Sequence, residues 1–231
     1  SNNIAMGSCT LCANTTGESN IGIGKESLRR NTTGTSNVSV GVQSLAFNAT
    51  ANSNTAVGHQ SLYANTTGGD NAALGHQALY TSTTATHNVA IGRAAMYSTT
   101  TGASNTAIGA GSMINNITGQ DNVAIGVDSS KFNTTGILNT AVGKMSQLGS
   151  YQTTTASYNV SLGACTLYAV TTGIQNVAVG TLSMKGNTTG GNNVAVGYQS
   201  LFNSTSGNNN VAVGNNALLN NTTAHNNVAV G

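Results

Sequence analysis

Of the 231 residues only 5% are charged and 4% aromatic, which fits no ordinary globular class, where about a quarter of residues carry charge. A net charge of +2 and the absence of proline also set the chain apart from disordered sequences, which combine low hydrophobicity with high charge or proline. The surface must therefore be held in water by Asn, Thr, Ser and backbone groups, and regular hydrogen-bonded structure is predicted.

No run of about 18 apolar residues offers a membrane-spanning helix, so no membrane insertion by this segment is expected. The start, Ser1-Asn2-Asn3-Ile4, lacks the basic and apolar regions of a secretion signal. The chain opens and closes inside a repeat, the last being Asn227 to Gly231, and so reads as a fragment of a longer protein. Seven basic residues scattered through the repeats form no patch able to neutralise several phosphates, and nucleic acid is not an expected partner.

Read from the first asparagine of each unit, repeats start at Asn3, Asn20, Asn37, Asn54, Asn71, Asn88, Asn105, Asn122, Asn139, Asn159, Asn176, Asn193, Asn210 and Asn227. Every step is 17 residues except the 20-residue unit at 139–158. Residues 1–231 thus read as a single repeat array of about 13 coils, a period that marks a solenoid. Asn at position 1 and Gly at position 5 stand in all fourteen copies. Positions 2 and 4, aliphatic for the most part, flank a small residue, so a segment such as Asn176-Val177-Ala178-Val179-Gly180 alternates with period 2 and predicts a short strand. Ser, Thr or Ala at position 8 and Leu or Met at position 9, as in Ser61-Leu62, predict a second extended piece. The N-T-T-G that follows predicts a turn.

Seventeen residues are too few for helical repeats of about 33 or more. The expected fold is all-β, a parallel β-solenoid or β-roll in which successive coils pair at about 4.8 Å, giving a rod of about 60 Å. Asn54, Asn88, Asn122, Asn176 and Asn193 are then expected to form side-chain ladders. Gly58, Gly92, Gly126, Gly180 and Gly197 are expected at corners needing positive φ. With about three large aliphatic side chains per coil, the core is thin for the backbone that must be ordered. Chains are therefore expected to associate and share apolar surface.

The N-[S/T/V]-[V/A]-A-[I/V]-G…S pattern resembles the head repeats of trimeric autotransporter adhesins. The version N-T-A-V-G-x-x-[S/A]-L…N-T-T-G, as from Asn54 to Gly68, is more similar still to repeat shafts of bacteriophage tail fibres. The resemblance extends over the whole chain. It implies a left-handed β-roll, a homotrimer, and a structural fibre shaft or adhesive head supporting attachment, located extracellularly on a virion tail fibre or a bacterial surface. A host-surface glycan or receptor is the implied outside partner.

Candidate chemistry is sparse. Cys9-x-x-Cys12 has redox or zinc spacing, but lacks a second pair; Cys9 and Cys165 share position 7, so inert thiols are expected. Asn14, Asn31, Asn48, Asn65, Asn116, Asn133, Asn187 and Asn221 begin N-x-T triplets, formal glycosylation acceptors that here coincide with the turn. His59 and His76 share position 6 and could stack; no metal site is expected. Tyr63, Tyr80 and Tyr97 share position 10 with Tyr168 and Phe202, predicting an aromatic stripe that could contact sugars, with packing the plainer reading. The 20-residue unit should bulge between Gln147 and Tyr158, with Tyr151 at its tip as a further contact candidate. No catalytic constellation and no cofactor motif is present, and no enzyme is predicted. The competing classes are a self-assembling extracellular filament or matrix protein, and an ice-binding solenoid. The adjacent threonines of N-T-T-G count against ice binding, because neighbours in an extended chain point to opposite sides.

Overall fold

A computed structural model of the chain describes residues 2–150 and 154–231. The chain divides into two compact units, Ser1–Thr118 and Gly119–Gly231. Both are parallel β-solenoids, with no helix among the described residues.

In the first unit the strands are β1 (Ile4–Met6), β2 (Ile21–Ile23), β3 (Val38–Val40), β4 (Thr55–Val57), β5 (Ala72–Leu74), β6 (Val89–Ile91) and β7 (Thr106–Ile108). Each pairs in parallel with the next, residue for residue at a 17-residue offset, as in Val38↔Thr55. The second unit repeats the arrangement with β8 (Val123–Ile125), β9 (Thr140–Val142), β10 (Val160–Leu162), β11 (Val177–Val179), β12 (Val194–Val196), β13 (Val211–Val213) and β14 (Val228–Val230). Between β9 and β10 the offset is 20, Thr140 pairing Val160. The three extra residues are therefore absorbed outside the ladder and no side chain changes face.

Only three residues per coil are formal strand, but backbone pairing continues around much of the coil. Leu28 N–H donates to Ser44 C=O at 3.1 Å, Arg30 N–H to Ala46 C=O at 3.0 Å and Thr32 N–H to Ala49 C=O at 2.9 Å. Two tight turns close most coils, as where Ser27 N–H donates to Gly24 C=O and Asn31 N–H to Leu28 C=O. The expected second extended piece is consequently a turn: Gln60 and Leu62, flanking Ser61, have φ of 54° and 51°, the left-handed region rather than the β region.

Positive φ recurs at three non-glycine positions in nearly every coil: position 7 (Gln60), position 9 (Leu62) and position 17 (Asp70, φ 59°). Each costs about 1–2 kcal/mol for an L-residue, and the stacked hydrogen bonds on either side hold it there. Gly58 is different. Its φ is +134°, and a Cβ there would lie 2.5 Å from the Gly75 carbonyl oxygen of the next coil, so only glycine permits the coils to stack at this corner.

The interior also differs from expectation. Strand residues at positions 2 and 4 point outward, and the small residue between them points in: Ala56, Ala90, Ala124, Ala178 and Ala195 are fully buried. The large buried side chains stand mainly at position 9, the column Leu28, Leu45, Leu62, Leu79, Met96, Met113 in the first unit and Leu167, Met184, Leu201 in the second, where Val170 at position 12 joins Leu167. Position-8 hydroxyls close the gap beside it, Ser61 Oγ donating to Ala73 C=O at 2.9 Å. The core is thus thinner than three aliphatic residues per coil, because two of those three face out.

Candidate functional site

The surface is organised in columns, since each residue lies one coil from its counterpart. Inside, Asn54, Asn88, Asn122, Asn176 and Asn193 are buried and form a continuous ladder within each unit. Asn88 N–H donates to Asn71 Oδ1 at 3.0 Å, and Asn88 Nδ2 donates both to Asn71 Oδ1 at 3.2 Å and to Gly102 C=O at 2.9 Å. Asn176 and Asn193 repeat these bonds in the second unit. Gly92, Gly126, Gly180 and Gly197 have φ between 117° and 134°, as Gly58 does. The five asparagines thus stand in the ladder and the five glycines at the positive-φ corners.

N-T-T-G divides its roles by direction. Its asparagine faces inward, forming a second ladder in which Asn48 Nδ2 donates to Asn31 Oδ1 at 2.8 Å. The first threonine clips coils together, Thr66 Oγ1 donating to Thr83 C=O at 3.0 Å. The second, as at Thr67 and Thr84, is exposed. The N-x-T acceptors Asn31, Asn48, Asn65, Asn116, Asn133 and Asn187 are fully buried, with no room for a glycan on the folded chain.

Outside, positions 2 and 4 make two parallel columns along the sheet of each unit, position 4 aliphatic or Met throughout and position 2 aliphatic except at Thr55, Thr106 and Thr140. Leu74 is 47% exposed, and Ile125, Leu162, Val196 and Val213 are between 37% and 38%. No charged residue stands at either position in any of the fourteen units. A contiguous apolar surface of this kind marks an interaction face.

On another corner Tyr63, Tyr80 and Tyr97 stack with centroids 5.1 and 5.0 Å apart and planes within 9° of parallel. Phe47 packs edge-on against Tyr63 at 4.9 Å, and the Arg30 guanidinium covers Phe47 at 4.3 Å. Both faces of Tyr80 are therefore covered by its neighbours, leaving ring edges and hydroxyls for contact. Burial between those rings, reinforced by the adjoining phenols, holds the Tyr80 hydroxyl neutral to higher pH than usual. In the second unit Lys185 lies between Tyr168 and Phe202, 5.9 and 5.4 Å from their rings. Tyr151, the remaining contact candidate, lies outside the described residues.

His59 and His76 stack at 5.3 Å, and parallel stacked rings do not converge on an ion. Asp70, His87 and Ser104 share position 17 in successive coils. Asp70 and His87 are 3.7 Å apart with 58% and 65% of their side chains exposed, beyond hydrogen-bond range. Among the described residues no group of three His, Cys, Asp or Glu side chains is placed to hold a metal ion. Cys9 and Cys12 are not inert thiols: they are joined in a disulfide, and Cys165 is the free cysteine. The turn in the first coil brings their Cα atoms to 5.1 Å, within bridging range.

A column the sequence reading missed is an amide chain at position 7. Gln77 Nε2 donates to Gln60 Oε1 at 3.0 Å, Gln60 Nε2 to Gln43 Oε1 at 2.9 Å and Gln43 Nε2 to Glu26 Oε2 at 3.0 Å. The bond from Gln43, helped by Arg29 and Lys25, holds the Glu26 carboxyl below its ordinary value against a smaller opposing effect of burial. Glu-Gln-Gln-Gln recurring at one position was the available signal. In the 20-residue unit the described part of the predicted bulge lies largely inside: Gln147, Leu148, Gly149, Thr154 and Ala156 are buried, and the coil rejoins its neighbour at the Asn133↔Thr154 bridge.

No protein-family model matches the chain, and no curated protein matches it.

Proposed function

We propose that this chain is a structural segment of a homotrimeric fibre, a shaft or adhesive head that acts outside the cell or on a virion and carries attachment to a host or surface rather than catalysis. The observation that supports this reading is the pair of uncharged, largely aliphatic columns facing outward along the sheet of each unit. In most coils two of the three larger aliphatic side chains lie there, so a single chain leaves in water the surface a solenoid would most gain by burying, at about 25 cal/mol per Å². A second copy in parallel register presents the same columns at the same coil spacing, so each aliphatic side chain meets another along the whole sheet of a unit. Three copies about one axis cover all such faces without leaving an open edge to a further chain. Contact with host glycans belongs in this reading to exposed columns, the Arg30–Tyr97 corner first among them, where weak contacts would be multiplied by three chains.

The test is a charge placed in the columns. Val177→Glu together with Val194→Glu, compared with the parent by light scattering after size exclusion, is expected to convert an oligomer into a folded monomer. A parent protein that is already monomeric at micromolar concentration rules the reading out.

A further inference from the structure

The interior asparagine ladder at position 12 is broken at a few coils, and unpartnered buried polar atoms gather at the breaks. In an unbroken coil the carboxamide nitrogen makes two bonds: Asn65 Nδ2 donates to Asn48 Oδ1 at 2.9 Å and to Gly68 C=O at 2.9 Å. The next coil has Ser82 in that column and the one after has Thr99. Asn65 Oδ1, Ser82 Oγ and Thr99 Oγ1 are all buried and without a hydrogen-bond partner in the protein. The second unit repeats the event independently. Asn187 is followed by Ser204, and Asn187 Oδ1 and Ser204 Oγ are buried and unpartnered.

We propose that Ser82 and Ser204 each mark a binding site for one internal water molecule that takes the place of the missing carboxamide nitrogen. Serine lacks two of the non-hydrogen atoms of asparagine, which frees room for one water oxygen. The lost nitrogen would have donated to the preceding Oδ1 and to the position-15 carbonyl of its own coil, and a water has two protons for those two acceptors. At Ser204 it donates to Asn187 Oδ1 and to Gly207 C=O, and accepts from the Ser204 hydroxyl. At Ser82 it donates to Asn65 Oδ1 and Ala85 C=O and accepts from the Ser82 hydroxyl. Each carbonyl retains a lone pair for this, since each accepts one other side-chain bond, Ala85 from Asn71 at 2.8 Å and Gly207 from Asn193 at 2.8 Å. Three bonds per molecule is the usual complement of a buried water. Two acceptors and a hydroxyl, with no charge among them, suit water rather than an ion. The Thr99 hydroxyl extends the first site by one coil.

The test combines crystallography with two substitutions at one site. At a resolution that orders internal solvent, a peak is expected within hydrogen-bond distance of Asn187 Oδ1, Gly207 C=O and Ser204 Oγ. Ser204→Ala is expected to lower the urea midpoint, because the water loses a partner. Ser204→Asn is expected to expel the peak and leave the midpoint unchanged or raised. No peak, together with a Ser204→Ala midpoint equal to or above the parent, overturns the proposal, since deleting an unpartnered hydroxyl from a dry site relieves a penalty. Ser82→Ala, read the same way, decides the matter in the first unit if either position-204 variant fails to fold.

Discussion

Asn88 shows what the interior of this protein asks of a side chain: one oxygen that accepts from the next coil and one nitrogen that donates within its own, at a depth with no solvent access. Asparagine is short enough to fit beside the corner and carries both groups. Removing it leaves buried partners in two coils, each costing about 1–3 kcal/mol. Asn88→Ala is expected to destabilise the protein by about 3 kcal/mol, read as a fall in the urea midpoint with unchanged slope. The same geometry governs the N-x-T triplets. Folded protein made in a glycosylating host is expected to be bare at Asn31, Asn48, Asn65, Asn116, Asn133 and Asn187, whose amides face the interior; intact-mass and peptide mapping would check this, and a glycan on Asn48 of folded protein would contradict it. Sequence specifies structure most plainly where the residue type is chemically singular. The Asn and Gly columns were legible because few other side chains meet their demands. The left-handed Leu62 was not, because leucine has no preference for that region and only the stacked coils impose it. The aspartates and asparagines at position 17, such as Asp70 and Asn192, were the legible hint of such corners, being residues that tolerate positive φ.

One element, the strand of three residues, also defines the surface. Period-2 alternation located every strand but not which face of it points in. Alternation is symmetric between Val-in and Ala-in arrangements. The choice falls to Ala because the position-9 Leu or Met occupies the space beneath the strand. The column of position-9 residues is itself interrupted in the second unit by Ser130 and Gln147, both buried, with Ser130 Oγ and both polar atoms of Gln147 unpartnered. Gln147→Leu keeps the size of the side chain and restores the column, and is expected to stabilise the protein by about 1–2 kcal/mol in chemical denaturation. The position-7 amide chain makes a pH prediction. Glu26 titrates below its ordinary value of 4.5, so the folded state favours the carboxylate. The resulting stability is present above the unfolded value and is lost as pH falls through the folded one. Carbon-detected NMR titration is expected to find Glu26 below its ordinary range, and Gln43→Ala to move it upward. An unshifted carboxyl in the parent would contradict the bond from Gln43.

For the whole molecule, repetition made the fold class readable before any coordinates: 17 residues, an invariant Asn and Gly, and one short alternating segment leave few architectures other than a parallel solenoid. The contact face was harder to read. A hydrophobic residue at position 4 looks the same in sequence whether it fills a core or awaits a partner, and only the burial of Ala178 beside the outward Val177 and Val179 separates the cases. The aromatic corner was legible as a stripe, whereas the covering of its ring faces follows from stacking at about the strand spacing and is a property of the assembled coils.

If further copies of the same chain cover the aliphatic columns, sedimentation equilibrium is expected to find a single species of three times the 23.1 kDa chain mass, and raised salt is not expected to dissociate it, because the columns are uncharged. A species of one chain mass across the accessible concentrations would contradict it.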